Sequence, residues 1–227
     1  MFQKLKKKLR SYSHLLLPVI YAPFYIAIFI WLENRQVPCI HIIEMKIDKY
    51  IPFCEYFIIP YYLWFFYIAL TVIVFAFLPD HRDYYKLCTM LGAGMTIFLF
   101  ISYIWPNGLN LRPEVLPRDN FCTDLVRLLQ KSDTSTNVFP SIHCFNSLAA
   151  NAAIWENELL SRKKRIKWSS LILCILILLS TLFLKQHSVM DLLTAVVMFA
   201  AFYIPLYAVP KWQNKKQDKK IVSGRLS

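Results

Sequence analysis

The chain has 227 residues, of which 57% are hydrophobic and 18% charged, so it is more apolar and less charged than an average soluble protein. A chain this apolar is not intrinsically disordered, and its four glycines exclude a glycine-rich linker or a fibrous repeat. The formal net charge is nevertheless +12, which in a soluble protein suggests nucleic-acid binding, so the positions of the basic residues decide the class.

Six apolar stretches follow one another along the chain, each long enough or nearly long enough to cross a bilayer core of about 30 Å. The fourth is the weakest, because Ser141, His143 and Asn146 interrupt it. Tryptophans lie at or near the ends of several stretches, as in the aromatic belt of a membrane interface. We therefore predict an all-α, polytopic membrane protein with a single integral-membrane domain over residues 1–227. Its six predicted transmembrane helices are 15–32, 56–78, 87–105, 139–155, 168–184 and 188–209.

The basic residues are unevenly divided between the two sides of this predicted domain. Six spans place both termini on one side, and eighteen of the 26 Lys and Arg residues fall in the tails and loops of that side. Because Lys and Arg are enriched in cytoplasmic loops, we predict that the N- and C-termini are cytoplasmic. The charge is then an orientation signal, and we expect the Lys-rich tails to contact anionic lipids at the cytoplasmic surface rather than nucleic acid.

Two segments on the outer side have helical patterns. Residues 36–51 place four isoleucines at helical spacing, which favours either an amphipathic helix lying at the interface or an ordinary surface helix. Residues 120–131 repeat the pattern after a candidate N-cap at Asp119 or Asn120.

Four further residues on the outer side leave alternatives open. Asp48 and Asp133 are either contacts for a lipid headgroup or solvated loop carboxylates. Cys39 and Cys54 are either a pair in an oxidising space or two unpaired thiols.

The first candidate site opens the fourth predicted span, in the segment 139–143 (FPSIH). Proline is well tolerated in the first turn of a helix, and a helix N-terminus presents unpaired N–H groups and a partial positive charge. Ser141 adds a hydroxyl donor, and His143 stands on the next turn. This segment predicts a site for phosphate oxygens.

The second candidate site is the pair His187 and Asp191, whose i,i+4 spacing places both side chains on one helical face. A carboxylate bonded to one imidazole nitrogen fixes the tautomer and leaves the other nitrogen free to attack. Lys185 is close enough to supply a positive charge, and Arg112, in the preceding outer loop, is a natural bidentate partner for phosphate. A single His–Asp pair is more often structural than catalytic, so the prediction depends on these elements occurring together on one membrane face.

The order of these elements resembles that of the type-2 phosphatidic acid phosphatase superfamily. That family has Lys-x6-Arg-Pro, then Pro-Ser-Gly-His, then Ser-Arg-x5-His-x3-Asp, on a six-helix membrane domain. The matching segments are WPNGLNLRP at 105–113, PSIH at 140–143 and STLFLKQHSVMD at 180–191. Trp105, Ile142 and Thr181 replace the family's Lys, Gly and Arg, so two of its cationic ligands are missing. This reduced set of cationic ligands more closely resembles the branch of inositol phosphorylceramide synthases and related lipid phosphotransferases.

The resemblance implies roles for individual residues. His187 would attack phosphorus and form a phosphohistidine, with Asp191 orienting the imidazole. His143 would protonate the leaving alkoxide and then activate water or an acceptor alcohol. The phosphate-binding residues that the resemblance implies are Arg112, Ser141 and Lys185, and it implies no metal and no cofactor.

We therefore expect a metal-independent lipid phosphatase or lipid phosphotransferase that acts at the outer membrane face on a lipid phosphate or phosphodiester. The alternative is a non-enzymatic lipid transporter or channel with an intramembrane His–Asp relay. The small size of the chain and the absence of eukaryotic sorting signals favour a multi-pass protein of the plasma membrane, and specifically of a bacterial inner membrane.

Overall fold

The computed structural model describes residues 13–213 and is mostly helical. The basic tails used in the orientation argument lie outside the described residues. The helices are α1 Leu16–Asn34, α2 Ile58–Ala76, α3 His81–Ile104, α4 Phe121–Ser132, α5 Ile142–Glu156, α6 Glu158–Ser161, α7 Lys164–Phe183 and α8 Val189–Tyr203. A 3₁₀ turn at Ser13–Leu15 precedes α1, and a π-helical turn at Ile204–Ala208 continues α8.

Within the described range, five helical segments are long and apolar enough to cross a membrane. They are Ser13–Asn34, Glu55–Ala76, His81–Ile104, Lys164–Phe183 and Val189–Gln213. These segments coincide with five of the six predicted spans, which confirms the mostly helical architecture with apolar helices of membrane-crossing length.

The remaining predicted span, 139–155, is the short helix α5. Its 15 residues reach only about 22 Å at 1.5 Å per residue, less than the ~30 Å of a hydrocarbon core. The helix packs against α3, α7 and α8, and two thirds of its residues are buried in protein. Because α5 is covered by other helices, its polar side chains need no contact with lipid, which explains why its apolar pattern is interrupted.

Close contact between α3 and α5 requires a glycine. A Cβ atom at Gly94 would lie 2.1 Å from a ring carbon of Phe145, which is fully buried. Any side chain here would force the two helices apart, so Gly94 sets the depth at which α5 sits in the bundle.

One end of the bundle, which we call the site face, brings together helix ends that are distant in sequence. The amide of Cys54, before α2, donates to the carbonyl of Phe183 at the end of α7, at 3.0 Å. The amide of Ser141, before α5, lies 3.5 Å from the carbonyl of Asp191 in the first turn of α8. Both ends of the described chain lie at the opposite face, where His14 Nε2 is 3.0 Å from the carbonyl of Ala76.

The prediction of a helix over residues 36–51 is wrong. The structure has a two-residue strand, β1 His41–Ile42, and a 3₁₀ turn at Lys46–Lys49. β1 pairs in parallel with β2, Asn107–Gly108, in the register that places His41 opposite Asn107. Pro38 and the β-branched isoleucines suit this extended pairing better than a helix.

The helix predicted for 120–131 is confirmed as α4. Asn120 is its N-cap, and its side-chain oxygen accepts a hydrogen bond from the amide of Thr123 at 3.0 Å. In return, the hydroxyl oxygen of Thr123 accepts a hydrogen bond from the amide of Asn120 at 2.9 Å. This reciprocal capping fixes where α4 begins and therefore where the following loop enters the site face.

Candidate active site

His187 reaches the site through a sharp turn at the end of α7. The amides of Lys185 and Gln186 donate to the carbonyls of Leu182 and Thr181, at 3.1 and 3.0 Å. These two bonds are the Schellman pattern that ends a helix, and Lys185 occupies its left-handed position with a φ of 57°. The turn places His187 just before α8, facing the start of α5.

Asp191, His187 and His143 form a chain of contacts. Asp191 Oδ2 lies 3.3 Å from His187 Nδ1, and His187 Nε2 lies 3.4 Å from His143 Nδ1. Asp191 is fully buried, and its Oδ2 also accepts a hydrogen bond from the amide of Ser188 at 2.9 Å. The carboxylate is thus held at Nδ1, so Nε2 of His187 is the nitrogen directed at His143.

His143 lies on the first turn of α5, between two aromatic side chains of α2. Its ring centroid is 4.3 Å from that of Trp64 and 4.7 Å from that of Tyr61. His143 is buried, as expected for a ring packed against two aromatic faces inside a helical bundle.

Ser141 is the N-cap of α5, and Pro140 therefore precedes the cap rather than standing in the first turn. The Ser141 hydroxyl is fully buried and accepts a hydrogen bond from the amide of Cys144 at 3.3 Å. The helical ladder begins only at Phe145, whose amide donates to the carbonyl of Ser141. The amides of Ile142 and His143 consequently have no partner within the helix and point towards the site face.

Arg112 is anchored by the loop between α4 and α5. Nη1 donates to the carbonyl of Asp133 and Nη2 to that of Thr134, both at 2.8 Å, and Nη2 also contacts Gln186 Oε1. Its Nε is buried and has no hydrogen-bond partner among the described residues. Burial lowers the pKa of Arg112, and the nearby Asp133 partly offsets this.

The side chain of Lys185 does not lie beside Arg112 and the two histidines. Its ammonium donates to the backbone carbonyl of Asp48 at 2.5 Å, and the side chain is buried, a setting that lowers its pKa by desolvation. The Asp48 carboxylate is itself buried and accepts bonds from the Ser188 hydroxyl and the Val189 amide, at 2.6 and 2.8 Å. The solvated alternative for Asp48 is therefore wrong, and Lys185 and Asp48 together fasten the loop that contains Lys46–Lys49 to the start of α8.

A small cavity opens beside the two histidines. Its charged and titratable lining groups are Arg112, Asp133, His143 and His187. In residues 13–213, no group of three or more His, Cys, Asp and Glu side chains is arranged to hold a metal ion. The cavity therefore combines two imidazoles, one guanidinium group and one carboxylate.

The sequence did not single out two residues of this cavity for a role. Gln186 directly precedes His187 in the chain, so the sequence could have indicated that Gln186 lies beside the site. For Asp133 the sequence left open whether it contacts a headgroup or is solvated. Its position depends on how Arg112 and α4 fix the loop that contains it. The hydroxyl of Tyr61 donates a hydrogen bond to Asp133 Oδ2 at 3.1 Å. No sequence motif links these residues.

An apolar groove adjoins the cavity on the side of α1 and α2. It is lined mainly by aromatic side chains, among them Tyr25 of α1 and Phe65 of α2. Groove and cavity share four lining residues, Phe29, Asp133, Ile142 and His143. The polar cavity thus lies next to an apolar surface between two helices of membrane-crossing length.

Comparison with known proteins gives one match. The family model described as the PAP2 superfamily matches residues 83–215, more than half of the chain. The matched region contains Arg112, Ser141, His143, His187 and Asp191. No curated protein and no solved structure matches the chain. With the motif order, the apolar helices and the paired histidines in agreement with it, this match shows that the chain belongs to the PAP2 superfamily.

Proposed function

We propose that the protein is a lipid phosphatase or lipid phosphotransferase that acts on a lipid phosphate or phosphodiester through a phosphohistidine intermediate. The observation that carries the proposal is the chain Asp191–His187–His143, which ends in a cavity that also contains Arg112. Membership of the PAP2 superfamily supports phosphatase or phosphotransferase chemistry.

In the first step, Nε2 of His187 attacks phosphorus, so an N–P bond forms and the P–O bond to the leaving alcohol breaks. His143 donates a proton to the leaving oxygen, and Asp191 stabilises the positive charge that develops on the His187 ring. In the second step, neutral His143 accepts a proton from water or an acceptor alcohol, whose oxygen attacks phosphorus, so a new P–O bond forms and the N–P bond to His187 breaks. With a phosphomonoester substrate, water gives free phosphate and an alcohol gives a new phosphomonoester. With a phosphodiester substrate, water gives a phosphomonoester and an alcohol gives a new phosphodiester.

Substrate binding has to separate the two imidazoles. Reacting atoms approach to about 3–3.5 Å before bond formation, and the space between His187 Nε2 and His143 Nδ1 is only 3.4 Å. His187 is tied to Asp191, whereas His143 is packed against the faces of Trp64 and Tyr61. We therefore assign the movement to the side chain of His143 rather than to that of His187.

Charge on the phosphate oxygens would be stabilised by fixed donors. Arg112 offers its buried Nε, and the amides of Ile142 and His143 offer two further N–H groups at the start of α5. Ser141 acts through its capping of α5, which fixes these amides. Lys185, expected as a further phosphate ligand, acts in this proposal by holding the outer loop through Asp48.

A lipid rather than a soluble substrate is supported by the apolar groove between α1 and α2. A lipid that lies in this groove has its tail against aromatic side chains and its phosphate in the cavity beside His143. The distribution of Lys and Arg supports cytoplasmic termini, the site at the outer face and anionic lipids at the cytoplasmic surface, and we propose the plasma membrane as the location. In this arrangement α5 is the sixth crossing, covered by its neighbours.

The test is turnover of lipid phosphates by detergent-purified protein in the presence of EDTA. We expect release of free phosphate, or a second labelled lipid when the acceptor is an alcohol, and loss of turnover in His187→Ala. His143→Ala should lower kcat by about 10²- to 10⁴-fold, the usual contribution of general acid–base catalysis. His41→Gln, an exposed histidine outside the cavity, is the matched control and should retain activity.

Two results would contradict the proposal. One is turnover that persists in His187→Ala or that strictly requires a metal. The other is lipid movement across vesicles without any change in the phosphate ester, which would favour the transporter alternative.

A further inference from the structure

Asp133 occupies the junction between the polar cavity and the apolar groove. Its side chain lines both, and Tyr61 donates a hydrogen bond to its Oδ2 at 3.1 Å. No other hydrogen bond or ion pair reaches the carboxylate from the residues that the structure describes. Arg112, although adjacent, bonds to the backbone carbonyl of Asp133 and not to its side chain.

A carboxylate is an unexpected neighbour for a phosphate. It repels the anion, and it faces Arg112, the one Lys or Arg that lines the cavity among residues 13–213. Burial raises the pKa of Asp133, and the positive charge of Arg112 counteracts that rise. The presence of Asp133 in this unfavourable electrostatic environment is explained if its second carboxylate oxygen, Oδ1, binds a hydrogen-bond donor of the substrate.

The position of Asp133 indicates which part of a lipid it meets. If the lipid phosphate lies beside His187 and the lipid tail lies along α1 and α2, the part of the lipid at the junction is its own backbone, which links the phosphate to the tail. A carboxylate attracts hydroxyl and amide N–H groups, which donate hydrogen bonds. A glycerol backbone that is fully esterified carries only acceptors there and would leave the carboxylate unpaired.

We propose, on the basis of the function proposed above, that Asp133 is a specificity-determining residue that accepts a hydrogen bond from a lipid backbone donor next to the phosphate. The substrate class is then lipids with a free hydroxyl or an amide N–H at this position, and fully esterified lipids are disfavoured. Tyr61 is the positioning residue, because its hydroxyl holds Oδ2 and leaves Oδ1 for the substrate.

The experiment compares two lipids that differ only in this donor. They are a 1-acylglycerol 3-phosphate and the same lipid without the hydroxyl at carbon 2, titrated into detergent-solubilised His187→Ala protein so that turnover does not interfere. We expect the hydroxyl-bearing lipid to bind about 10- to 100-fold more tightly, the range for a hydrogen bond to a charged group. A third lipid with an amide N–H in place of the hydroxyl tells the two donor types apart.

Substitutions assign the preference to the carboxylate. Adding Asp133→Leu, which has a similar shape and no acceptor, should bring the two affinities to within about twofold of each other. Tyr61→Phe keeps the carboxylate but removes its orienting bond and should give an intermediate ratio. Asp124→Asn, an exposed carboxylate of α4, is the control and should leave the ratio unchanged.

The outcomes separate this inference from the proposed function. If both lipids bind equally to the starting protein, or if the preference survives Asp133→Leu, the role of Asp133 is disproved while the lipid phosphate site stands. If neither lipid binds, and wild-type protein turns over no lipid phosphate or phosphodiester in the EDTA assay above, the proposed function itself is wrong.

Discussion

In the proposed function Arg112 has two tasks, and they use different atoms. Its Nη atoms bind the carbonyls of Asp133 and Thr134, which fixes the loop that carries Asp133. Its Nε remains for a ligand in the cavity. A single guanidinium can therefore shape the loop and bind phosphate, because its five N–H donors point in fixed directions.

We expect Arg112→Lys to lower kcat/KM by about 10- to 100-fold, although the positive charge is kept. A lysine ammonium is a point donor that cannot reach both carbonyls and the cavity at once, and hydrogen bonds to a charged group contribute about 1.5–3 kcal/mol each. The measurement is steady-state kinetics on a lipid phosphate together with thermal unfolding of the purified variant.

Arg127→Lys is the matched control, since Arg127 is an exposed arginine on α4 paired with Asp119 and Asp124. It should behave as wild type, because exposed ion pairs contribute little. Wild-type kinetics in Arg112→Lys would show that only the charge matters.

The start of α8 is the element on which the catalytic geometry depends most. It carries Asp191 in its first turn and follows directly on His187. Asp48 comes from the 3₁₀ turn Lys46–Lys49, which is distant in sequence. Its carboxylate accepts hydrogen bonds from Ser188 and Val189 at this helix N-terminus, where a negative charge is also favoured by the helix dipole. The loop and the helix therefore hold each other, and the catalytic pair depends on the contact.

Asp48→Asn should lower the melting temperature and reduce kcat more than it changes KM. The amide side chain keeps one acceptor where the carboxylate uses two, so a buried donor at the start of α8 is left unpaired at about 1–3 kcal/mol. Thermal unfolding and lipid phosphate kinetics measure the two effects. Asp80→Asn is the control, because Asp80 is an exposed N-cap of α3 and asparagine caps a helix equally well. Equal stability of the two variants would contradict a structural role for Asp48.

The sequence predicted elements well where local pattern decides the structure. The apolar runs gave the long helices, and Asn120 with the following periodicity gave α4. The segment 36–51 was mispredicted because its pairing with Asn107–Gly108 is a long-range contact. Gly108 permits this pairing, since a Cβ there would lie 3.0 Å from Cγ2 of Ile40, the residue before β1.

At the site, motif spacing predicted what lies on a single helix or at its start. The pair His187 and Asp191 meets across one turn, and Ser141 and His143 stand at the beginning of α5. The direction of Lys185 towards Asp48 and the arrival of Asp133 beside Arg112 depend on how the loops fold against the bundle. Such contacts carry no periodic signal, so the sequence alone could not supply them.

At the scale of the whole molecule, charge and chemistry are segregated. His143 and His187 lie at the site face, whereas the basic run Arg162–Lys167 follows α6 at the opposite end of the bundle, near both ends of the described chain. This separation explains how a strongly basic chain can contain a site with a single fixed cation. It also makes the orientation in the membrane measurable with natural and introduced cysteines.

Cys39 gives the orientation test. It is the one exposed cysteine within residues 13–213, and it precedes β1 on the site face. If the site faces outwards, a membrane-impermeant maleimide should label wild-type protein in intact right-side-out vesicles and fail to label Cys39→Ser. Lys163→Cys in the Cys39→Ser background places a thiol at an exposed position of the opposite face and should react only after the membrane is permeabilised. The reverse pattern would place the catalytic cavity in the cytoplasm, and the charge distribution would then not have determined the topology, because eighteen of the 26 basic residues would lie on the outside.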